Sequence, residues 1–257
     1  MATTASYPLA RERNLILASL LILAAAGWAL LAWQAMADDG EMAMGLTMGM
    51  AAPLFIAMWA VMMVAMMFPA SAPMILTFAK VHAGRRERGQ AFVPTWVFAS
   101  AYLLVWTFTG VFAYGAAIGA EQLADVWAWL GNNAARIGGG VLILAGLYQL
   151  SPLKRSCLTK CQTPLSFILT SWRDGYAGSF RMGIEHGIYC LGCCAFLFVI
   201  LFPLGVMNVG AMVAITILIF AEKSLPIGNE IDNLAAAALV AYGALVIFVP
   251  AALPTMT

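Results

Sequence analysis

The sequence has few charged residues, few histidines and few cysteines. Of its 257 residues, 10% are charged and 63% are hydrophobic, and the net charge is +1, whereas a soluble globular domain has about 25% charged residues. This composition predicts a polytopic membrane protein whose main partner is the lipid bilayer. Because no basic patch extends beyond short loops, the sequence argues against nucleic acid as a partner.

The rare residue types also restrict the chemistry. Five cysteines are too few for a disulfide framework, and an odd number leaves one unpaired. Two histidines give little support for haem binding. We find no set of nucleophile and base, no phosphate-binding loop and no inverted internal repeat of the transporter kind. The sequence therefore favours a binding protein over an enzyme, with no catalytic residues assigned.

The apolar segments predict an all-α bundle of about seven transmembrane helices, since a span needs roughly 20 residues. We expect one transmembrane domain over residues 14–253, a cytoplasmic segment over 1–13 and a short tail over 254–257. An outer Met-rich loop should cover 34–53 and an inner loop with two cysteines 152–180. The predicted helices cover 15–33, 54–80, 92–118, 134–150, 181–202, a sixth ending near 222–223, and 233–249.

The first helix has a competing interpretation as a signal peptide. Ala35-Met36-Ala37 has the small-x-small form of a cleavage site. The apolar run before it is longer than the usual ~7 to 15 residues of a signal sequence. We therefore expect a retained membrane helix and leave cleavage as the alternative.

Basic residues predict the orientation. If the N-terminus lies inside, only Arg136 among the 13 Lys and Arg residues lies at an outer end. This asymmetry predicts a cytoplasmic N-terminus and a C-terminus on the other side. Pro69 and Pro73 should kink or partly unwind the second helix. Three consecutive glycines, Gly138 to Gly140, should let a neighbouring backbone approach the fourth.

Residues 183–194 contain the densest chemistry of the chain. At ~3.6 residues per turn, a helix places His186, Cys190, Cys193 and Cys194 on one face. A lone cysteine in a membrane helix is usually a packing residue, but three within five positions, one turn after a histidine, favour a metal or redox site. Glu185 and His186 lie near the inner interface, where a hydrated polar helix end is the alternative.

Two further sets of sulfur atoms are candidate ligands. Cys157 and Cys161 have C-x-x-x-C spacing, and the neighbouring basic residues Lys154, Arg155 and Lys160 favour thiolates. The second helix carries two methionine rows, for which packing is the alternative. The rows are Met58, Met62 and Met66, and Met63 with Met67.

Thiol, thioether and imidazole groups together select copper among the common metals, as Cu(I). Met66 and Cys190 should lie at similar depth, roughly 14 to 18 Å from opposite membrane surfaces. If the second and fifth helices are neighbours, one site can take ligands from both. Residues 42–50 would then capture the ion at the outer mouth, and Cys157 and Cys161 would accept it inside.

Three motifs carry a family resemblance. They are Trp59-Ala60-Val61-Met62-Met63-Val64-Ala65-Met66-Met67-Phe68-Pro69; Tyr148-Gln149-Leu150-Ser151-Pro152-Leu153-Lys154 with Cys157 and Cys161; and Arg181-Met182-Gly183 with His186-Gly187 and Tyr189-Cys190-Leu191-Gly192-Cys193-Cys194. Over about 54–226 the chain resembles the domain of unknown function 2182 family of bacterial integral membrane proteins, described as predicted metal-binding and sometimes labelled a copper chaperone. Ser151 stands where threonine is expected, which changes no ligand.

The resemblance implies a multi-pass protein of the bacterial inner membrane with a periplasmic C-terminus. It implies a metal-related role and a set of sulfur and imidazole ligands. Those ligands are Met62, Met63, Met66, Met67, Cys157, Cys161, His186, Cys190, Cys193 and Cys194.

Three functions follow as candidates. The first is a Cu(I)-handling chaperone that delivers copper to a copper-dependent membrane enzyme or a soluble copper carrier. The second is a metal permease, which needs ligands through both leaflets. The third is a membrane thiol-disulfide oxidoreductase that uses Cys157 and Cys161 with the buried cysteines. Against the third stands the strained disulfide that adjacent Cys193 and Cys194 would form.

Overall fold

The computed structural model describes residues 6–37, 46–89, 92–225 and 227–254, and helix is the regular structure found in these residues. Helices satisfy their backbone hydrogen bonds internally, as long apolar segments require in lipid. The elements are α1 (Ser6–Ala37), α2 (Ala52–Glu87), α3 (Thr95–Val126), α4 (Ala128–Asn132), α5 (Ala134–Gln149), α6 (Pro152–Gln162), α7 (Pro164–Thr170), α8 (Gly175–Val199), α9 (Leu201–Leu204), α10 (Val209–Ser224), α11 (Gly228–Phe248) and a 3-10 turn (Pro250–Ala252).

Five helical segments in the described part of the chain are long and apolar enough to cross a membrane. They lie in α1, α2, α3, α8 with α9, and α11. Helices α5 and α6 qualify only as a pair, bent by 62° at their break, and α10 has 16 residues. The all-helical class is thus confirmed, whereas seven spans and their orientation stay predictions. Met42 and Met44 of the predicted outer loop lie outside the described residues.

Helix α2 is longer and more regular than predicted. Pro69 and Pro73 do not interrupt it, and the Thr77 hydroxyl donates to the Pro73 carbonyl oxygen at 2.7 Å. The expected partial unwinding does not occur. The helix continues past the predicted end at residue 80 and stops before Gly89, which has a φ of +70° that suits glycine after a helix end. Most of the residues between the predicted second and third helices are therefore helical.

The segment 152–180, predicted as an inner loop, is largely helical. Helices α6 and α7 occupy much of it. Ser151 caps α6, since its hydroxyl accepts from the Lys154 backbone amide at 3.1 Å, and Pro152 suits the first turn. Thr163 separates α6 from α7, which begins at Pro164. Both cysteines of the predicted loop thus have helical positions.

Glycines permit the closest helix contacts. A Cβ at Gly139 of α5 would lie 2.7 Å from the Gly243 carbonyl oxygen of α11, and one at Gly138 would lie 2.8 Å from the Pro203 Cβ. The expected close approach is confirmed at these two positions but not at Gly140, which has open space beside it. Small residues at helix interfaces thus set the α5–α11 spacing.

Helix α3 connects the methionine-bearing α2 to the cysteine-bearing α8. It packs against both, whereas α2 otherwise packs chiefly against α1, and α8 against α6. Among the described residues, α2 and α8 share no interface of comparable size. The methionines of α2 and the cysteines of α8 nevertheless belong to one hydrophobic core.

Candidate metal centre

Three buried cysteines from two helices form a compact group of potential ligands. The Sγ atoms of Cys161 on α6 and of Cys190 and Cys193 on α8 lie within 4.8 Å of one another, and the Cys161 and Cys193 sulfurs are 3.9 Å apart. If each metal–sulfur bond is about 2.3 Å, as in zinc thiolates, a trigonal ion separates its sulfurs by about 4.0 Å. All three are free thiols, so their spacing fits a three-thiolate metal site.

Gly192 lets α6 approach α8 beside this group. A Cβ there would lie 2.6 Å from the Cys157 Sγ, so a larger residue would force the Cys157 side chain to turn or α6 to move. The Tyr148 hydroxyl of α5 donates to the Gly192 carbonyl oxygen. The missing side chain at Gly192 therefore lets Cys161 lie within reach of Cys190 and Cys193. These two cysteines lie on either side of Leu191 and Gly192 and have C-x-x-C spacing. This C-x-x-C pair was not recognised among the sequence motifs.

The predicted helical face is confirmed as a buried face. His186, Cys190, Cys193 and Cys194 are each at most 2% exposed. The Cys194 Sγ lies 3.2 Å from the Cys193 Sγ, directly beside the three-cysteine group. Cys157 is half-buried, so it lies closer to the protein surface than the other four. Metal ligation by these side chains stays a prediction.

His186 lies one turn before Cys190 in an aromatic setting. Its ring stacks near Phe98 and Tyr102, with centroid separations of 5.8 and 5.2 Å. Within the described part of the chain, neither ring nitrogen has a hydrogen-bond partner. An unsatisfied buried polar group costs about 1–3 kcal/mol, so these nitrogens fit a ligand. By contrast, half-buried Glu185 accepts from the Ser171 hydroxyl at 3.0 Å, an ordinary structural contact.

Two residues that sequence reasoning missed contact the Cys190 sulfur. The Lys223 Nζ on α10 lies 3.0 Å from it, and the Tyr102 hydroxyl on α3 lies 3.2 Å from it. Lys223 was counted only among the basic residues of the inner side, and it is 9% exposed. The sequence feature that could have indicated Lys223 is the Glu222-Lys223 pair near the end of an apolar helix. An ammonium here offsets the negative charge of metal-bound thiolates.

Lys154, predicted to favour thiolates at Cys157 and Cys161, has a different role in the structure. It is fully buried, and its Nζ lies 2.9 Å from both Glu222 and Asp232 carboxylate oxygens. Gln149 donates to the same Glu222 oxygen at 3.0 Å. The network therefore joins α5, α6, α10 and α11, and the Lys154 ammonium pairs with carboxylates instead of favouring a thiolate at Cys157. A buried charge needs such partners, and these lie far along the chain.

The methionine rows of α2 are buried as a group. Met62, Met63, Met66 and Met67 are at most 1% exposed, and Met58 is 8% exposed. Burial suits packing and ligation equally. Since α2 and α8 are bridged by α3, a joint site of these methionines with the cysteines stays a prediction.

The fold and the cysteine group define a class of protein: an all-helical chain with several apolar helices and a buried thiol cluster that can hold a soft metal. The chain belongs to the copper chaperone family PpoB2, whose family model matches residues 56–246. This match confirms the family resemblance and covers all ten candidate ligands. The curated proteins and the solved structures contain no match.

Proposed function

We propose that this protein is an integral membrane copper chaperone that binds Cu(I) through Cys161, Cys190 and Cys193. The observation that carries the proposal is the buried triangle of three thiols. Thiolates favour Cu(I) and Zn(II), and membership of a copper chaperone family favours copper. The bound ion is cargo, delivered to a copper-dependent membrane enzyme or a soluble copper carrier.

The surrounding residues have distinct roles in this proposal. Lys223 lies 3.0 Å from the Cys190 sulfur and offsets part of the thiolate charge. Cys194 and His186 are adjacent donors that the ion can engage while it moves. Cys157 is the most exposed of the cysteines and is the first or last ligand in exchange with a carrier. The methionines Met62, Met63, Met66 and Met67 remain proposed ligands on α2.

The protein is proposed to be a multi-pass protein of the bacterial inner membrane with a cytoplasmic N-terminus and a periplasmic C-terminus. Five or six candidate spans support a multi-pass protein. Seven requires both α5 and the 16-residue α10 to count as spans. With buried Lys154 and Lys223 set aside, ten of the remaining eleven basic residues still fall on the proposed inner side, as the positive-inside rule requires.

Copper analysis of the purified chain tests this proposal. Protein purified anaerobically and incubated with Cu(I) should retain copper at the cysteine cluster, and the Cys190→Ser, Cys193→Ser variant should lose that copper. Cys157→Ser is the matched control, because it removes a thiol outside the triangle and should reduce the content little. Unchanged copper in the double variant rejects the site.

A thiol-disulfide oxidoreductase is the second candidate, favoured by the C-x-x-C spacing of Cys190 and Cys193. Alkylation with and without a thiol reductant separates the two functions. The chaperone keeps both thiols alkylatable after the metal is removed, whereas the oxidoreductase forms a reducible Cys190–Cys193 bond. Copper uptake into proteoliposomes would instead identify a permease.

A further inference from the structure

A small cavity near the start of α2 is lined mainly by methionine side chains. It has a volume of about 10 Å³, and its seven lining residues are all apolar. Four of them are methionines: Met48, Met58, Met62 and Met207. A cavity of about 10–15 Å³ has room for one water-sized particle, but a water needs polar partners that this lining does not provide.

Three separate parts of the chain build this cavity. Met48 comes from the turn before α2, and Met207 from the turn before α10. Met58 and Met62 lie one turn apart on α2, so both can face the same space. Thioether sulfur is the one soft donor these seven residues offer, and it binds Cu(I) but not hard cations.

The turn that carries Met48 is held in place. The Thr47 backbone amide donates to the Glu121 carboxylate of α3 at 2.9 Å, and the Tyr114 hydroxyl donates to the Met50 carbonyl oxygen at 3.3 Å. Met48 itself has a φ of +54°, a conformation that is uncommon for a residue other than glycine. Such a conformation persists when its surroundings enforce it.

The cavity and the cysteine cluster lie near opposite ends of α10. Met207 precedes the first residue of that helix, Val209, while Lys223 contacts Cys190 near the last. At about 1.5 Å per residue, the helix between them rises roughly 21 Å. The two groups of sulfur atoms therefore lie in separate parts of the molecule. Met62, a candidate ligand of the family motif, belongs to the cavity.

We propose that Met48, Met58, Met62 and Met207 form a second Cu(I) site that uses thioether ligands alone. This inference rests on the proposed copper function and extends it, because the protein then holds copper at two places along one path. Thioethers are neutral and bind without releasing a proton, so this site exchanges its ion more readily than the cysteine cluster. It is the capture site, and the cluster is the retaining site.

Anaerobic titration of the full-length protein in detergent with Ag(I), a redox-inert mimic of Cu(I), tests the inference. The decisive variant is Met58→Leu, Met207→Leu, which leaves all the methionines of the family motif unchanged. Leucine keeps the volume of methionine with little loss of stability. Met212→Leu is the matched control, since Met212 is fully buried on α10 and does not line the cavity.

We expect the methionine variant to lose the Ag(I) ion of the methionine site. The Cys190→Ser, Cys193→Ser variant should lose the Ag(I) ion of the cysteine cluster, and the Met212→Leu control should lose neither. Ag(I) binding that the methionine variant leaves unchanged overturns the second site and spares the cysteine site. Loss in the methionine variant alone supports the second site and rejects the cluster. If the methionine variant does not fold, selenium-edge spectra of selenomethionine-labelled Cys190→Ser, Cys193→Ser protein decide: a silver–selenium distance supports the site, and its absence overturns it.

Discussion

The two sulfur-rich regions of the molecule have opposite surroundings. The cysteine cluster contacts a lysine and a tyrosine, and a second buried lysine with two carboxylates lies on the adjoining helices α6, α10 and α11. The methionine cavity is lined by apolar residues alone among those described. Met58 and Met62 are buried like the cysteines, whereas Met48 and Met207 are half-buried. Depth in the protein therefore does not account for the apolar lining.

This difference follows from the chemistry of the ligands. A thiol must lose its proton before it binds a metal, so a thiolate cluster brings negative charge into a low-dielectric interior, where charge needs compensation. A thioether remains neutral, so the bound monovalent ion brings the only charge into a methionine site. The polar neighbours of Cys190 are therefore expected to matter for binding, whereas the methionine site should need no such neighbours.

The largest effect is expected from Lys154→Met in the polar region. This change leaves Glu222 and Asp232 buried without their cation, and removal of one partner from a buried ion pair costs about 3–5 kcal/mol. The thermal unfolding temperature of the purified protein should fall strongly. Arg155→Met, an exposed change on the same helix, is the control and should alter it little. Equal melting temperatures for the two variants would show that the Lys154 network does not stabilise the bundle.

Lys223→Met should weaken the cysteine site specifically. A hydrogen bond to a charged group contributes about 1.5–3 kcal/mol, which corresponds to a roughly 10- to 150-fold loss of Cu(I) affinity. Competition against a Cu(I) chelator measures it. Lys160→Met, which removes a partly exposed charge next to Cys161 in the sequence, is the control. A loss of similar size in both variants would assign the effect to general electrostatics.

These two lysines also show what sequence reasoning could not reach. Periodicity predicted the buried face of α8 correctly, because the i, i+4, i+7 and i+8 positions depend on helix geometry alone. It could not predict that Lys154 pairs with Asp232, 78 residues away, since that contact depends on how α6 and α11 pack. Sequence reasoning therefore counted both lysines as basic residues of the inner side.

The helical connection between α5 and α8 was missed for a related reason. Polar residues between Lys154 and Cys161 resemble a loop, although Ser151 and Pro152 are a recognisable helix start. Once α6 is helical, Gly192 determines how closely Cys161 approaches α8. The three-cysteine group thus combines one predicted face with one contact that only tertiary packing creates.

Gly183→Ala should have the third-largest effect, because it disturbs the packing of α3 against α8. Its Cβ would contact the Phe98 carbonyl oxygen and lie 2.7 Å from the Ala101 Cβ, and overpacking of this kind costs about 1–3 kcal/mol. The melting temperature should fall and copper binding at the cysteines should weaken, since α8 must shift. Gly115→Ala, where a Cβ meets open space, is the control and should not destabilise. No difference between them would mean that α3 and α8 adjust freely.

The smallest effects are expected from two tyrosine variants, which test whether the cysteine cluster and the methionine cavity bind ions independently. Tyr102→Phe removes one hydrogen bond from an uncharged donor to the Cys190 sulfur. A typical hydrogen bond contributes about 0.5–1.5 kcal/mol, or roughly two- to tenfold in affinity at the cysteine site. Tyr114→Phe is its counterpart, because that hydroxyl donates to Met50 beside the methionine cavity. Ag(I) competition on both variants should show each tyrosine affecting its own site alone. Equal weakening at both sites by either variant would mean that the cavity and the cluster behave as one binding unit.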